Sequence, residues 1–252
     1  MNLEDKAKRL QGVTETLQKR WGHNSLRKLE DITAISGLPT STQFSNLDRA
    51  LGIGGLPRGR ITEVLGIPTS GMNSLAFKAV ASAQSVGDMA VYIDPGRTFD
   101  PDYAARCGVK IASLLLVRSP AHKHIFEIAR DLIASGGTGI LVVGSDPCTG
   151  PEGIQTPSGA LERLNTVLSG SLCAVIVLNA IKDNARIAST NNALPYYATI
   201  RLQIEKERWL RRRRDIRGYR AWVTVLKNKL APAGQRVTIA IGFSGVVRGD
   251  GA

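Results

Sequence analysis

The chain has 252 residues and carries 33 Lys and Arg against 21 Asp and Glu, a formal net charge of +12. That length holds one compact α/β domain with a short appendage, and 43% hydrophobic with 21% charged residues excludes a wholly disordered chain. Aromatic residues at 5% are thin for an all-β sandwich, and a basic excess of this size points to a polyanionic partner, nucleic acid first.

The first ten residues, MNLEDKAKRL, are charged throughout and lack the apolar core of a signal peptide. Residues 3–20 read as a helix, with Leu3, Leu10, Val13 and Leu17 near helical spacing, and Trp21-Gly22 breaks it. Residues 36–44, rich in Ser, Thr, Gly and Pro, read as a loop into the body domain, giving a helical arm over 1–35 and a core over 36–252. In the core, short apolar runs alternate with helical patterns. Strands are expected at 61–65, 90–93, 140–143 and 174–178, and helices at 74–86, 125–134 and 160–168. Continuous apolar strands with helices between them predict a mainly parallel sheet covered on both faces. After Asn191 the pattern changes: 198–204 and 221–226 alternate and flank a basic segment as a hairpin, and 237–241 adds a last strand. No apolar run is long enough to span a bilayer, so no membrane partner and a cytoplasmic location are expected. Cys107, Cys148 and Cys173 lie too far apart for a disulfide framework or zinc pattern and read as buried small residues. His122 and His124 have no Cys or His cluster around them and read as a helix N-terminus rather than a metal pair.

The segment from Ile61 to Ser74 is the most informative. A strand, a Gly66-x4-Gly71 turn and a helix match the frame of a phosphate-binding loop, where backbone N–H groups and a helix N-terminus hold anionic oxygens. That chemistry needs Lys and then Ser or Thr after the second Gly, and here those places hold Met72 and Asn73. The turn alone fits a phosphate loop or a plain strand-to-helix turn.

Its flanks are more specific. "STQFSNLDRALGIGGLPRGRITEVLGIPTSGMNS", "YIDPGRTFDPDYAARCGV", "NNALPYYATIRLQIEK" and "VTVLKNKLAP" are colinear with motifs of the RecA recombinase family, which the chain resembles from about residue 7 onward. The resemblance implies a RecA-like P-loop NTPase core with an oligomerising N-terminal arm, a first DNA loop shortened to about 148–158, and no C-terminal domain. It also implies a loss. The family's phosphate-loop Lys is Met72, its Mg²⁺-binding hydroxyl residue Asn73, its catalytic Glu Gly96, its metal-supporting Asp Gly144 and its γ-phosphate-sensing Gln Ala180. Losing a positioned base alone costs roughly 10²–10⁴-fold in rate, so a pseudo-ATPase is expected. Asp94 and Asp146, each two residues away, are the candidates for a displaced carboxylate. A nucleotide-binding remnant would comprise Gly66, Ser70, Gly71 and Ser74 of the loop, with Asp100 and Tyr103 at the family's adenine contacts, and would bind ATP or ADP weakly without turnover. Lys227 and Lys229 match the pair that reaches a neighbouring subunit's nucleotide.

Residues 206–220, "KERWLRRRRDIRGYR", hold eight basic and two acidic residues, half of the chain's net excess. Arg211, Arg212, Arg213 and Arg214 suit phosphate binding, and Trp209 or Tyr219 could stack on an unpaired base. The family's second DNA loop corresponds to 181–192, with Lys182, Arg186, Asn191 and Asn192 as backbone contacts. The expected function is a RecA-like accessory of DNA repair or recombination, within the SOS response, that binds single-stranded DNA, a recombinase filament, or both. A divergent DNA-dependent ATPase and a mutasome-type partner of a translesion polymerase are the alternatives, and a homo-oligomer is allowed.

Overall fold

A computed structural model describes residues 3–22, 37–118, 124–146, 158–181, 193–212, 215–244 and 247–249. The chain divides into two compact units, residues 1–36 and 37–252. In the first, helix α1 (Leu3–Trp21) has Glu4 and Asp5 in its first turn and Lys19 and Arg20 in its last, the order the helix dipole favours. Leu10, Val13 and Trp21 leave its apolar stripe exposed.

In the second unit, α2 (Ser45–Ala50) precedes β1 (Arg60–Gly66), α3 (Met72–Ser85), β2 (Ala90–Ile93), α4 (Pro101–Arg106), β3 (Leu114–Val117) and α5 (Ile125–Ala134). Then follow β4 (Ile140–Val143), α6 (Ser158–Leu168), β5 (Ala174–Ala180), α7 (Leu194–Tyr197), β6 (Ile200–Arg212), β7 (Asp215–Asn228), β8 (Arg236–Gly242) and β9 (Val247–Gly249). One sheet runs β3-β2-β4-β5-β1-β6-β7-β8-β9. It is parallel from β3 to β6 and antiparallel from β6 to β9.

Strand alternation sorts the core into two layers. Val64, Tyr92, Val142, Ile176 and Leu202 face Leu47, Leu75 and Phe77 from α2 and α3. Ile61, Val91, Leu141, Val175 and Val177 face Phe126 and Ile133 of α5 and Leu161 and Leu164 of α6. This is the helix-covered, mainly parallel sheet expected of an α/β core. One expectation needs correction. The basic segment is not the connection of the hairpin: β6 and β7 run through it as 13- and 14-residue strands, with Trp209 opposite Tyr219. The strands continue because β6 pairs with β7 as far as Arg212 opposite Asp215, and β7 pairs with β8 from Gly218 to Thr224, even where the side chains meet solvent.

Candidate functional site

The site starts where β1 ends. Gly66 accepts the Ile181 N–H at 2.9 Å, Ser70 N–H closes the turn on Ile67 O at 3.1 Å, and Gly71 caps α3 with φ of 115°. A side chain at Gly71 would also run into Ile241 Cδ1 at 2.5 Å and Tyr219 Oη at 3.1 Å, so the left-handed turn and the close packing both require glycine. The frame of a phosphate loop is therefore present. Its chemistry is not: Met72, the first residue of α3, is buried at 6% exposure within the apolar cluster that holds Val64, Leu75 and Ile204. Asn73 lies half-buried on the rim, and Ser70 is buried.

Gly144 and Gly96 follow β4 and β2. Gly144 N–H bonds Ile93 O at 2.8 Å, and a Cβ there would meet Tyr92 Oη at 2.7 Å and Tyr92 Cε1 at 2.9 Å. The Tyr92 ring, wedged between Phe77 and Phe99 at 5.8 and 4.9 Å, fills the space an acidic side chain would occupy. Burial and the nearby Asp94 push its phenol well above the usual tyrosine range. Asp94 turns into its own loop, accepting from Thr98 N at 2.9 Å and Phe99 N at 3.3 Å and pairing with Arg118 Nε at 3.4 Å. Asp146 is buried, and the wall of the adjacent cavity there is Ser145. Neither carboxylate faces the loop cavity.

The expected base contacts are also committed elsewhere. Asp100 caps α4, its Oδ1 accepting from Tyr103 N at 2.9 Å. Tyr103 and Ser74 share a 2.5 Å hydroxyl hydrogen bond, and burial pushes the Tyr103 phenol up to about 12. Tyr219 reaches the same Ser74, and burial raises its phenol too. Tyr219 is 8% exposed, so it cannot serve as a stacking platform for DNA; Trp209, at 44%, remains accessible.

Around this turn lies a cavity of about 550 Å³ at the carboxyl ends of β1, β2, β4 and β5. Met72, Tyr103, Trp209, Tyr219 and Phe243 give it an apolar, aromatic wall, with Ala180 at its floor. Trp209, Tyr219 and Phe243 have ring centroids 6.1 to 6.4 Å apart. Among the described residues, Lys206 is the one charged side chain on the wall, and its Nζ sits 4.0 Å from the Trp209 ring centroid. A magnesium triphosphate does not fit such a donor set, which offers one ammonium already engaged with a ring and no carboxylate. The sequence does not display this cluster, because nothing in its composition reveals that the register pairs Trp209 with Tyr219.

Lys227 Nζ donates to Pro195 O at 2.6 Å and Tyr196 O at 3.2 Å, and Lys229 Nζ to Tyr196 O at 3.3 Å. Burial, Lys229 and Arg201 lower the Lys227 pKa. Beneath them Glu63 is buried between Asn179 Nδ2 at 3.0 Å and Arg201 Nε at 2.5 Å, a second cluster missed in the sequence although an acid within the apolar run 61–65 marks it. Arg211 and Arg212 are exposed at the end of β6. Arg213, Arg214, Lys182, Arg186, Asn191, Asn192, Cys148 and His122 lie outside the described residues. His124 caps α5 and meets Glu127 Oε2 at 2.9 Å, while Cys107 and Cys173 are buried free thiols. Among the described residues no group of three His, Cys, Asp or Glu could hold a metal, and no helix is long and apolar enough to cross a membrane.

Residues 8–248 match the family model of the RecA N-terminal domain. The chain belongs to the RecA family. It is 34% identical over 250 residues to Protein RecA of Chloroherpeton thalassium, covering 91% of this chain and 70% of that protein. It is 32% identical to Protein RecA of Geobacter sulfurreducens, covering 98% and 80%, and 35% identical to that of Blastochloris viridis, covering 94% and 74%. Family membership supports a RecA-like role in DNA recombination and repair at that coarse level.

Proposed function

We propose that this RecA-family chain is an accessory protein that binds single-stranded DNA, or a filament of a complete recombinase, in the cytoplasm and does not hydrolyse ATP. The observation that carries the reading is the burial of Met72 at the loop position that needs an ammonium, beside a Gly144 whose side-chain space Tyr92 has taken. Without the Lys, the base and the metal ligands, neither the attacking water nor the transferring phosphoryl group gains electrostatic help. The DNA half of the proposal rests on the basic strand: Arg208, Arg211 and Arg212 are exposed along β6, and Arg217 along β7. Arginine forks bind phosphates bidentately, and the accessible Trp209 ring adds a stacking face.

Two measurements test it. Phosphate release with Mg²⁺, ATP and single-stranded DNA should stay at background; hydrolysis abolished by Asp146→Ala would establish the divergent ATPase instead. Fluorescence anisotropy should show DNA binding that falls with salt at a log–log slope of about −0.7 per phosphate neutralised. Replacing Arg211–Arg214 by Ala should flatten that slope and weaken all sequences alike. A quadruple variant that binds like the parent removes the hairpin as the DNA site.

A further inference from the structure

The cavity beside the phosphate-loop turn has lost the features of a nucleotide site and gained those of a protein-docking pocket. Most of its lining surface is apolar, with Met72, Tyr103, Trp209, Tyr219 and Phe243 on its wall, and its two exposed aromatics, Trp209 and Phe243, are 44% and 46% exposed. Large aromatics at the mouth of an apolar pocket are the composition of an interface hot spot. Its hydroxyls offer little to a nucleobase edge, because Ser74 is already shared by Tyr103 and Tyr219. The volume, about 550 Å³, falls within the range of ordinary ligand pockets and exceeds what one base fills.

Charge then selects the occupant. Lys206 lies on the wall, and the same strand continues through exposed Arg208, Arg211 and Arg212. A segment docking here meets an apolar pocket and, from Lys206 to Arg212, a strand on which those four cations outnumber one exposed acid, Glu207. We propose that the cleft binds an acidic peptide segment of a partner protein, which inserts bulky apolar side chains among Met72, Trp209 and Phe243 while its carboxylates face Lys206 and the β6 arginines. The proposal rests on the reading that this site no longer takes a nucleoside triphosphate. It adds the chemistry of the partner, and it makes DNA and that partner competitors for one strand.

The probe is a random peptide library displayed on phage and panned on the full chain, with enriched peptides resynthesised and followed by Trp fluorescence and anisotropy. The expected consensus is one or two Trp, Phe or Leu flanked by Asp or Glu. Binding should weaken roughly tenfold or more in Trp209→Ala and in Phe243→Ala, and recover in Trp209→Phe. Because truncation of the cluster could disturb the fold, Asn73→Trp, which blocks the mouth from the half-buried rim, provides an independent variant and should also abolish binding. Lys206→Ala should weaken binding and reduce its salt dependence. Peptides without the acidic and apolar pattern, or peptides that bind all these variants as they bind the parent, would overturn the proposal. So would Trp209 quenching by oligothymidylate that saturating peptide fails to reverse, which would make the cleft a base reader. ATP hydrolysis alongside intact peptide binding would instead remove the non-hydrolysing reading and leave the docking site standing.

Discussion

At position 144 a side chain has no room. Tyr92 and Gly144 exchange occupancy across two adjacent strands, so restoring an acid there displaces a ring that is 1% exposed and packed on Phe77 and Phe99. Met72→Lys likewise places an ammonium in an apolar cluster. We expect Gly144→Asp to lower stability by about 1–3 kcal/mol through overpacking, read as an earlier denaturation midpoint. Met72→Lys should restore no ATPase even combined with Gly144→Asp, because Gly96 and Ala180 still lack functional groups. Hydrolysis in the double variant would show that the lost chemistry is local and recoverable. The burial of Tyr103 gives a pH signature. Tyr103 titrates near 12 in the fold against 10.0 for a free phenol, so the fold favours the protonated form. Its contribution is fully present below pH 10 and is lost as pH rises from about 10 toward 12. Absorbance titration at high pH should therefore lose a late-ionising tyrosine in Tyr103→Phe, and a parent chain whose tyrosines all ionise as in the unfolded state would contradict the burial of these phenols.

At the scale of elements, the sequence reading was strongest where burial is continuous. Residues 90–93, 125–134 and 140–143 form the expected strand, helix and strand because apolar runs there face a core layer along their whole length. The six-residue helices α2 and α4 offer too few turns for a period, and β3 is a four-residue edge strand following a 3₁₀ turn. The hairpin strands outlast their apolar alternation, since backbone pairing holds them where side chains give no pattern. The phosphate-loop frame was legible from Gly66 and Gly71. The ring in the place of an acid and the aromatic pocket were not, because both depend on contacts between distant strands. Glu63, Asn179 and Arg201 tie β1, β5 and β6 together across the sheet. Arg201→Ala leaves the buried Glu63 carboxylate with one neutral donor, and removing one partner of a buried pair costs about 3–5 kcal/mol. Thermal unfolding should show that loss, and Glu63→Leu with Arg201→Met should recover much of it. A single Arg201→Ala variant as stable as the parent would mean the pair contributes nothing net.

At the scale of the whole molecule, the two faces a filament would use are unequal. The family resemblance implies that Lys227 with Lys229 form a donating face and that the phosphate-loop site is the accepting one. In the structure the lysines rest on the carbonyls of Pro195 and Tyr196, and burial, with Lys229 and Arg201 crowded beside it, lowers the Lys227 pKa. A neighbour's phosphate would relieve that repulsion more fully than two carbonyl dipoles do. The accepting face offers no such phosphate if it holds no nucleotide, so each self-contact would join a poised lysine pair to a dead site. Contact with a complete recombinase joins it to a live one. We therefore expect short or absent homofilaments, together with an altered length or ATPase of filaments formed by the host's main recombinase. Lys227→Ala with Lys229→Ala should blunt that effect while leaving DNA anisotropy through the β6 arginines unchanged. Negative-stain microscopy and ATPase assays on the mixture decide it: long ATP-dependent homofilaments would show that this chain's own accepting face is live, and a recombinase indifferent to this chain at every ratio would show that the donating face has no such neighbour to serve.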